Sequence, residues 1–366
     1  LRTIAARVAE HAPPHALEQI LDLCERRGAA AAVLPPLQAA RREGRMPALP
    51  PARVRRVLQP VLSAATRYGL LARDCRRMPP HPALDLLLDE LDGRQRRHAE
   101  AVLAGLALAY DPARLDHVAP HLRSTHPAAR SNALELLDAL LDPADRTVVV
   151  PFFEALGAPS RLDEAAQALD IDPRPSDPLR TLAGDDDAWL RACAAFVTSR
   201  MQAATHARPA HGLLAGAQLE SERSVMLPLM EIVFFLKSSP LFRPLPGEEL
   251  ARIARVAETV HVEDGHLLFQ EGAPGDAFYM VVSGSMGVER GTHQVAVLGP
   301  HEGLGEMALL DGEPRSASVR ALEDSTLLRI DQASFETLID RSPALARGIY
   351  RSLSRRLRNT LRQVEA

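Results

Sequence analysis

Two residues of opposite charge stand nine positions apart in a glycine-punctuated run: Glu306 and Arg315, within Gly303-Leu304-Gly305-Glu306-Met307-Ala308-Leu309-Leu310-Asp311-Gly312-Glu313-Pro314-Arg315-Ser316-Ala317. The apolar stretch after Gly305 reads as one or two helical turns. The first N–H groups of a helix have no intrahelical acceptor, and with the positive end of the helix dipole they favour an anion. Gly312-Glu313-Pro314 then turns the chain, and Arg315 opens the next strand, where its planar donor fork can take two oxygens of one phosphate. Glu306 repels a phosphate but accepts a hydrogen bond from a sugar hydroxyl. An acid and an arginine flanking an anion-binding turn suit a ligand that carries both a ribose and a phosphodiester.

Short β-strands must position this run. Period-two segments fall at Thr259–Glu263, His266–Gln270, Ala277–Val282, Met286–Glu289 and Gln294–Leu298, divided by Gly265, Gly272, Gly275, Gly284 and Gly291. Two more are expected at Ser316–Arg320 and Ser325–Ile330, with a helix at Pro246–Glu258 ahead of the strands and helices at Gln332–Asp340 and Pro343–Glu365 behind them. This pattern predicts a small β-barrel or jelly roll with helices at both ends.

The run resembles the phosphate-binding cassette of cyclic-nucleotide-binding domains, roughly Phe-Gly-Glu-x-Ala-Leu followed after a few residues by Pro-Arg-x-Ala. Here Leu304-Gly305-Glu306-Met307-Ala308-Leu309 and Pro314-Arg315-Ser316-Ala317 occupy those places, Leu304 replacing the family's Phe. The resemblance extends over about residues 236–366. It implies that Glu306 binds the ribose 2′-hydroxyl and Arg315 the exocyclic phosphate oxygens. Backbone N–H groups at Gly305, Glu306, Met307, Ala308, Ser316 and Ala317 would complete the cradle. In the family a Thr after the Arg favours guanine; Ser316 stands there, which implies cAMP over cGMP. The last helix closes over the base in the family, so Leu357, Arg358 or Leu361 is expected to reach the purine.

Residues 1–225 have another texture, rich in Ala, Leu, Arg and Pro with period 3.6 dominant. Arg94–Tyr110 reads as a helix ending at Asp111-Pro112. His126-Pro127, Asp142-Pro143 and Asp177-Pro178 mark further helix starts, since Pro at the first helical turn loses no hydrogen bond and a preceding Asp can cap. His126–Leu141 and Asp186–Val197 share an Arg-x-x-Ala core at Arg130/Ala133 and Arg191/Ala194, which suggests HEAT-like or armadillo-like repeats; a single irregular α-bundle is the alternative. The fold class is thus α+β multidomain, with helical repeats over 1–225 and a cyclic-nucleotide-binding jelly roll over 226–366 that holds the cassette at 303–317 and the lid at 343–365.

Composition narrows the function. Hydrophobic residues make up 46% and charged residues 25% of the 366, and the formal net charge of −4 offers no general attraction to nucleic acid. Cys24, Cys75 and Cys193 form no CxxC pair, which points to a reducing cytoplasm. His117 and His121 sit one helical turn apart without a third ligand, so surface histidines are expected rather than a metal site; Asp185-Asp186-Asp187 reads as a helix cap. No nucleophile elbow, P-loop or HExxH is present, and the expectation is a sensor without enzymatic activity or metal. HEAT-like helices before a cyclic-nucleotide domain resemble the cytosolic part of bacterial transporter-like membrane proteins. A start at Leu1 without Met agrees with a transmembrane portion upstream. A soluble scaffold binding a protein partner through the helices is the alternative. A catabolite-activator-type regulator would need a helix-turn-helix after the last helix.

Overall fold

The computed structural model describes residues 12–13, 16–17, 19–21, 30–122, 124, 126–174, 176–205, 223–243, 245–291 and 293–364. The chain divides into two compact units, Leu1–Asp185 and Asp186–Ala366.

The described part of the first unit is helical. Its principal helices are α1 (Ala30–Arg42), α2 (Pro51–Cys75), α3 (Pro82–Ala109), α4 (Pro112–Leu122), α5 (Pro127–Leu140), α6 (Pro143–Gly157), α7 (Leu162–Ala168) and α8 (Pro178–Ala183). The four X-Pro pairs do open helices. Asp142 accepts from the Asp145 N–H (2.8 Å), Asp177 from Arg180 (3.1 Å) and Asp111 from Ala113 (2.9 Å), each satisfying an orphan donor of a first turn. His126 makes no such side-chain bond. The helix expected at Arg94–Tyr110 is the second half of α3, which starts twelve residues earlier at Pro82 behind a cap from His81 Nδ1 to the Ala83 N–H (3.1 Å). Charged residues hid that first half, because Glu90 and Arg94 are buried as an i,i+4 pair (2.9 Å) rather than lying on a solvated face. Neighbouring helices pair, α2 with α3 and α4 with α5, and α6, α7 and α8 also pack on α2. One apolar core runs through Leu34, Leu37, Leu58, Leu62, Leu106, Leu137 and Phe152.

The second unit opens with α9 (Ala188–Thr205), α10 (Arg223–Ser238) and α11 (Gly247–Val256). Asp187 caps α9, its carboxylate accepting from the N–H groups of Trp189 (2.9 Å) and Leu190 (3.3 Å). Eight strands follow: β1 (Glu258–Val262), β2 (Leu267–Phe269), β3 (Ala277–Ser283), β4 (Met286–Arg290), β5 (His293–Leu298), β6 (Gly303–Leu304), β7 (Ser318–Ala321) and β8 (Ser325–Asp331). They form two antiparallel sheets ordered β1-β8-β3-β6 and β2-β7-β4-β5. Between them lie Val262, Tyr279, Val281, Met286, Leu304, Val319 and Leu327. The helix α12 (Glu306–Asp311) is inserted between β6 and β7, and α13 (Gln332–Arg341) and α14 (Pro343–Val364) close the unit. Strand β7 begins at Ser318, not Ser316, so Arg315 lies in the connection ahead of the strand and not on it.

Candidate functional site

Local backbone chemistry sets the site. Gly305 precedes α12 with φ 81°, a left-handed conformation that glycine adopts without a side-chain clash, and a Cβ there would lie 2.5 Å from the Arg315 guanidinium. Across from it, a Cβ on Gly275 would stand 2.5 Å from the Ala308 Cβ, so the loop before β3 and α12 approach each other only because residue 275 is glycine. The backbone around Arg315 is tied to the same loop: Arg315 N–H donates to the Ala273 carbonyl (2.8 Å) and the Gly272 N–H to the Arg315 carbonyl (2.8 Å).

Arg315 is buried, at 3% exposure. Its Nη1 donates to the Gly305 carbonyl (2.8 Å), and its Nη2 to the Ala277 carbonyl (2.9 Å) and to Asp276 Oδ1 (3.0 Å). The guanidinium carbon lies 4.2 Å from the centroid of the Phe269 ring, within cation–π range. Nε is buried and makes no hydrogen bond. A guanidinium has five N–H donors; with three engaged, two remain for a ligand. Asp276 is shared with Arg329 (3.3 Å), which also meets Glu258 (3.1 Å). Partial burial favours the protonated form of Asp276, but the Arg329 hydrogen bond, the residue's own N–H and the charges of Arg329 and Arg315 outweigh it and hold the carboxyl below its ordinary range.

Glu306 is buried at the first position of α12, while Met307 and Leu310 are exposed and Ala308 and Leu309 turn inward. A cavity of about 110 Å³ lies beside them. Apolar side chains of Phe269, Val288, Leu298, Leu304 and Val319 line it, together with Gly305, Glu306, Met307, Ala308, Arg315, Ser316 and Ala317. All seven residues singled out from the cassette therefore surround one space. Of the three residues considered for the lid, Arg358 is exposed and does not line it, and the side chains of Leu357 and Leu361 lie outside the described residues. Sequence reasoning missed Phe269, Gly275, Asp276 and Ala277. No spacing rule flags them, because they reach the site through the sheet and not along the chain.

His117 and His121 meet edge-on with ring centroids 5.8 Å apart. Among the described residues no group of three or more His, Cys, Asp or Glu side chains is placed to hold a metal ion. Within the same set no helix is long and apolar enough to cross a membrane.

Residues 259–342 match the family model described as the cyclic nucleotide-binding domain. The chain is similar to the cyclic AMP receptor protein of Thermus thermophilus, 39% identical over 129 residues that make up 34% of this chain and 59% of that protein. It is also similar to a cyclic nucleotide-gated potassium channel of Mesorhizobium japonicum, 40% identical over 107 residues, 29% of this chain and 30% of the channel. An uncharacterized NTE family protein of Mycobacterium tuberculosis is 32% identical over 126 residues, 34% of this chain and 22% of that protein. The chain thus spans between about a fifth and three fifths of the length of these relatives. Residues 259–342, with the two antiparallel sheets and the cassette they carry, are a cyclic nucleotide-binding domain.

Proposed function

We propose that the chain is a cyclic-nucleotide-sensing regulatory module, without catalytic chemistry of its own, whose ligand is held by Glu306 and Arg315 and is cAMP in preference to cGMP. One observation carries this reading: the seven cassette residues converge on a single cavity in which buried Arg315 retains two unengaged N–H donors. Glu306 accepts from the ribose 2′-hydroxyl, Arg315 donates to the exocyclic phosphate oxygens, and first-turn N–H groups of α12 with those of Ser316 and Ala317 complete the phosphate shell. The apolar wall of Phe269, Val288, Leu298 and Val319 takes the sugar and base edges. Ser316 in place of Thr withholds the stronger partner for a guanine amino group, and α14 supplies a lid residue, Leu357, Arg358 or Leu361.

The working boundary of the module is residue 226, with the helical half, residues 1–225, as its output side. HEAT-like stacking of that half would give it a surface for a transporter-like membrane portion upstream of Leu1, on the cytosolic face; a soluble scaffold that binds a protein partner is the rival. Sequence upstream of residue 1 separates them: repeated apolar stretches of ~20 residues mean a transporter, and their absence a scaffold.

Calorimetric titration of the chain with cAMP, cGMP and 2′-deoxy-cAMP tests the site. Glu306→Gln should weaken cAMP roughly tenfold, in line with ~1.5–3 kcal/mol for hydrogen bonds to charged groups, yet leave 2′-deoxy-cAMP unchanged. Absence of binding by the wild type with either nucleotide overturns the reading.

A further inference from the structure

His301 occupies the turn between β5 and β6, five residues ahead of Glu306. Its backbone is left-handed, with φ 70°, a conformation uncommon for any residue that bears a β-carbon. Four contacts hold it there. Its N–H donates to the Val281 carbonyl (2.9 Å) beside the reciprocal bond from the Val281 N–H to Glu302 (3.0 Å), which fastens the turn to β3. Its imidazole stacks on Phe235 of α10, centroids 4.6 Å apart and planes 21° apart. Ser238 Oγ lies 3.2 Å from Nδ1, and the hydroxyl of fully buried Ser239 donates to the His301 carbonyl (3.2 Å). One residue therefore fixes the end of α10 to the strand that leads into the cassette.

The same helix, α10, also meets α9. Phe234 packs against Phe196 with centroids 5.7 Å apart, and Glu231 forms an ion pair with Arg200. A continuous chain of side chains runs from α9 through α10 to the β5–β6 turn and on through two-residue β6 to Gly305 and Glu306. Coupling between sites needs an element with two discrete arrangements, both biased by ligand. A left-handed turn held by a stack and two serine contacts is a candidate for such an element, because a shift of β6 would act on the stack and the backbone together.

We propose that His301 is the coupling residue of this domain, a latch through which occupancy of the cassette sets the packing of α10 and, through it, α9. This rests on the cyclic-nucleotide reading above. Occupancy and latch state are linked reciprocally, so a ligand that alters α10 must have its own affinity altered by the latch by the same factor.

The test is amide hydrogen exchange on the full chain with and without saturating cAMP, alongside calorimetric Kd values, for wild type, His301→Asn and Phe235→Leu. Asn tolerates the left-handed backbone, so His301→Asn removes the ring while retaining the turn. The expected result is a several-fold change in exchange over Met230–Ser238 on adding cAMP to the wild type, and loss of that change in both variants. Their Kd should move by the factor that the wild-type exchange reports. A His301→Asn chain that still binds cAMP and still transmits the full change to α10 overturns the latch and leaves the nucleotide reading intact. So does a wild type that binds cAMP with no change in α10. A wild type that binds no nucleotide overturns both.

Discussion

Arg315 is part of the architecture of the domain as well as a candidate contact for a ligand, and the first role can be tested without a nucleotide. Replacement by Met keeps a stem of similar length that can still lie on Phe269, but removes the bonds to the Gly305 and Ala277 carbonyls and to Asp276. The Asp276 contact contributes little, because that carboxylate is largely exposed and keeps Arg329. The two carbonyl bonds are the substantial ones: a hydrogen bond from a charged donor contributes ~1.5–3 kcal/mol, and cation–π loss adds roughly 1 kcal/mol. Relief of burying the guanidinium offsets part of this, which leaves a net cost of about 3–5 kcal/mol, most of it from the two buried carbonyls left without a donor. The single tryptophan, Trp189 on α9 in the same unit, provides the signal for urea unfolding. Arg315→Met should shift the Trp189 transition by that amount with an unchanged slope, and Arg315→Lys, able to keep one carbonyl, by about half. A loss below ~1 kcal/mol for Arg315→Met would refute the assignment of Arg315 as a structural tie.

Other substitutions and conditions probe the same site and its surroundings. Gly275→Ala drives a methyl into the Ala308 Cβ at 2.5 Å, where neither partner is a flexible side-chain end; thermal melts should show about 1–3 kcal/mol of destabilisation, and nucleotide affinity should fall because α12 is displaced. Burial pushes the Cys75 thiol up to about 12, with the Asp74 charge adding to the effect. Peptide mass mapping should therefore find Cys75 unmodified by iodoacetamide at pH 8 in the native chain and fully modified in denaturant. Burial lowers the His301 pKa from the ordinary 6.5, so the unfolded chain binds the extra proton first. Its contribution to stability is then complete above about pH 6.5 and declines as pH falls below that value. Protection factors over Met230–Ser238, with the intrinsic pH dependence of amide exchange divided out, should fall between pH 7 and pH 5.5 in the wild type and much less in His301→Asn.

What could be read from the chain and what could not divides along physical lines. Seven of the eight strands came out within one or two residues because turns and glycines bound them, as where Ala277–Val282 was expected and Ala277–Ser283 is found; two-residue β6 was not expected, being too short to show a period. The cassette was legible because its backbone and its two charged residues are contiguous, so their spacing is itself the signal. Asp276 and Phe269 were invisible for the opposite reason, since they meet Arg315 through the folding of β2 and β3 around it. In the first unit, patterning failed where charge is buried. Glu90 and Arg94 neutralise each other inside α3, and a rule that assigns charged residues to solvent starts the helix too late.

The cavity size and the bonding of Arg315 together bear on how a ligand enters. Sites for small molecules commonly span ~300–1,000 Å³, several times the 110 Å³ found beside α12. A nucleotide therefore extends beyond this space or displaces one wall of it. The sheet residues Val319 and Leu304 belong to the packed core, and Phe269 and Val288 pack against it. Helix α12, with Met307 and Leu310 exposed and left-handed glycines at both ends, is the wall with least to lose. Its displacement would act on Arg315 through the Gly305 carbonyl, and a phosphate has acceptor oxygens enough to replace that bond while also satisfying the orphan Nε. On the proposed reading the arginine would be less a receptor waiting for an anion than a tie that exchanges a backbone partner for a ligand. Such an exchange at Gly305 would act on β6, which is joined directly to the turn that holds His301.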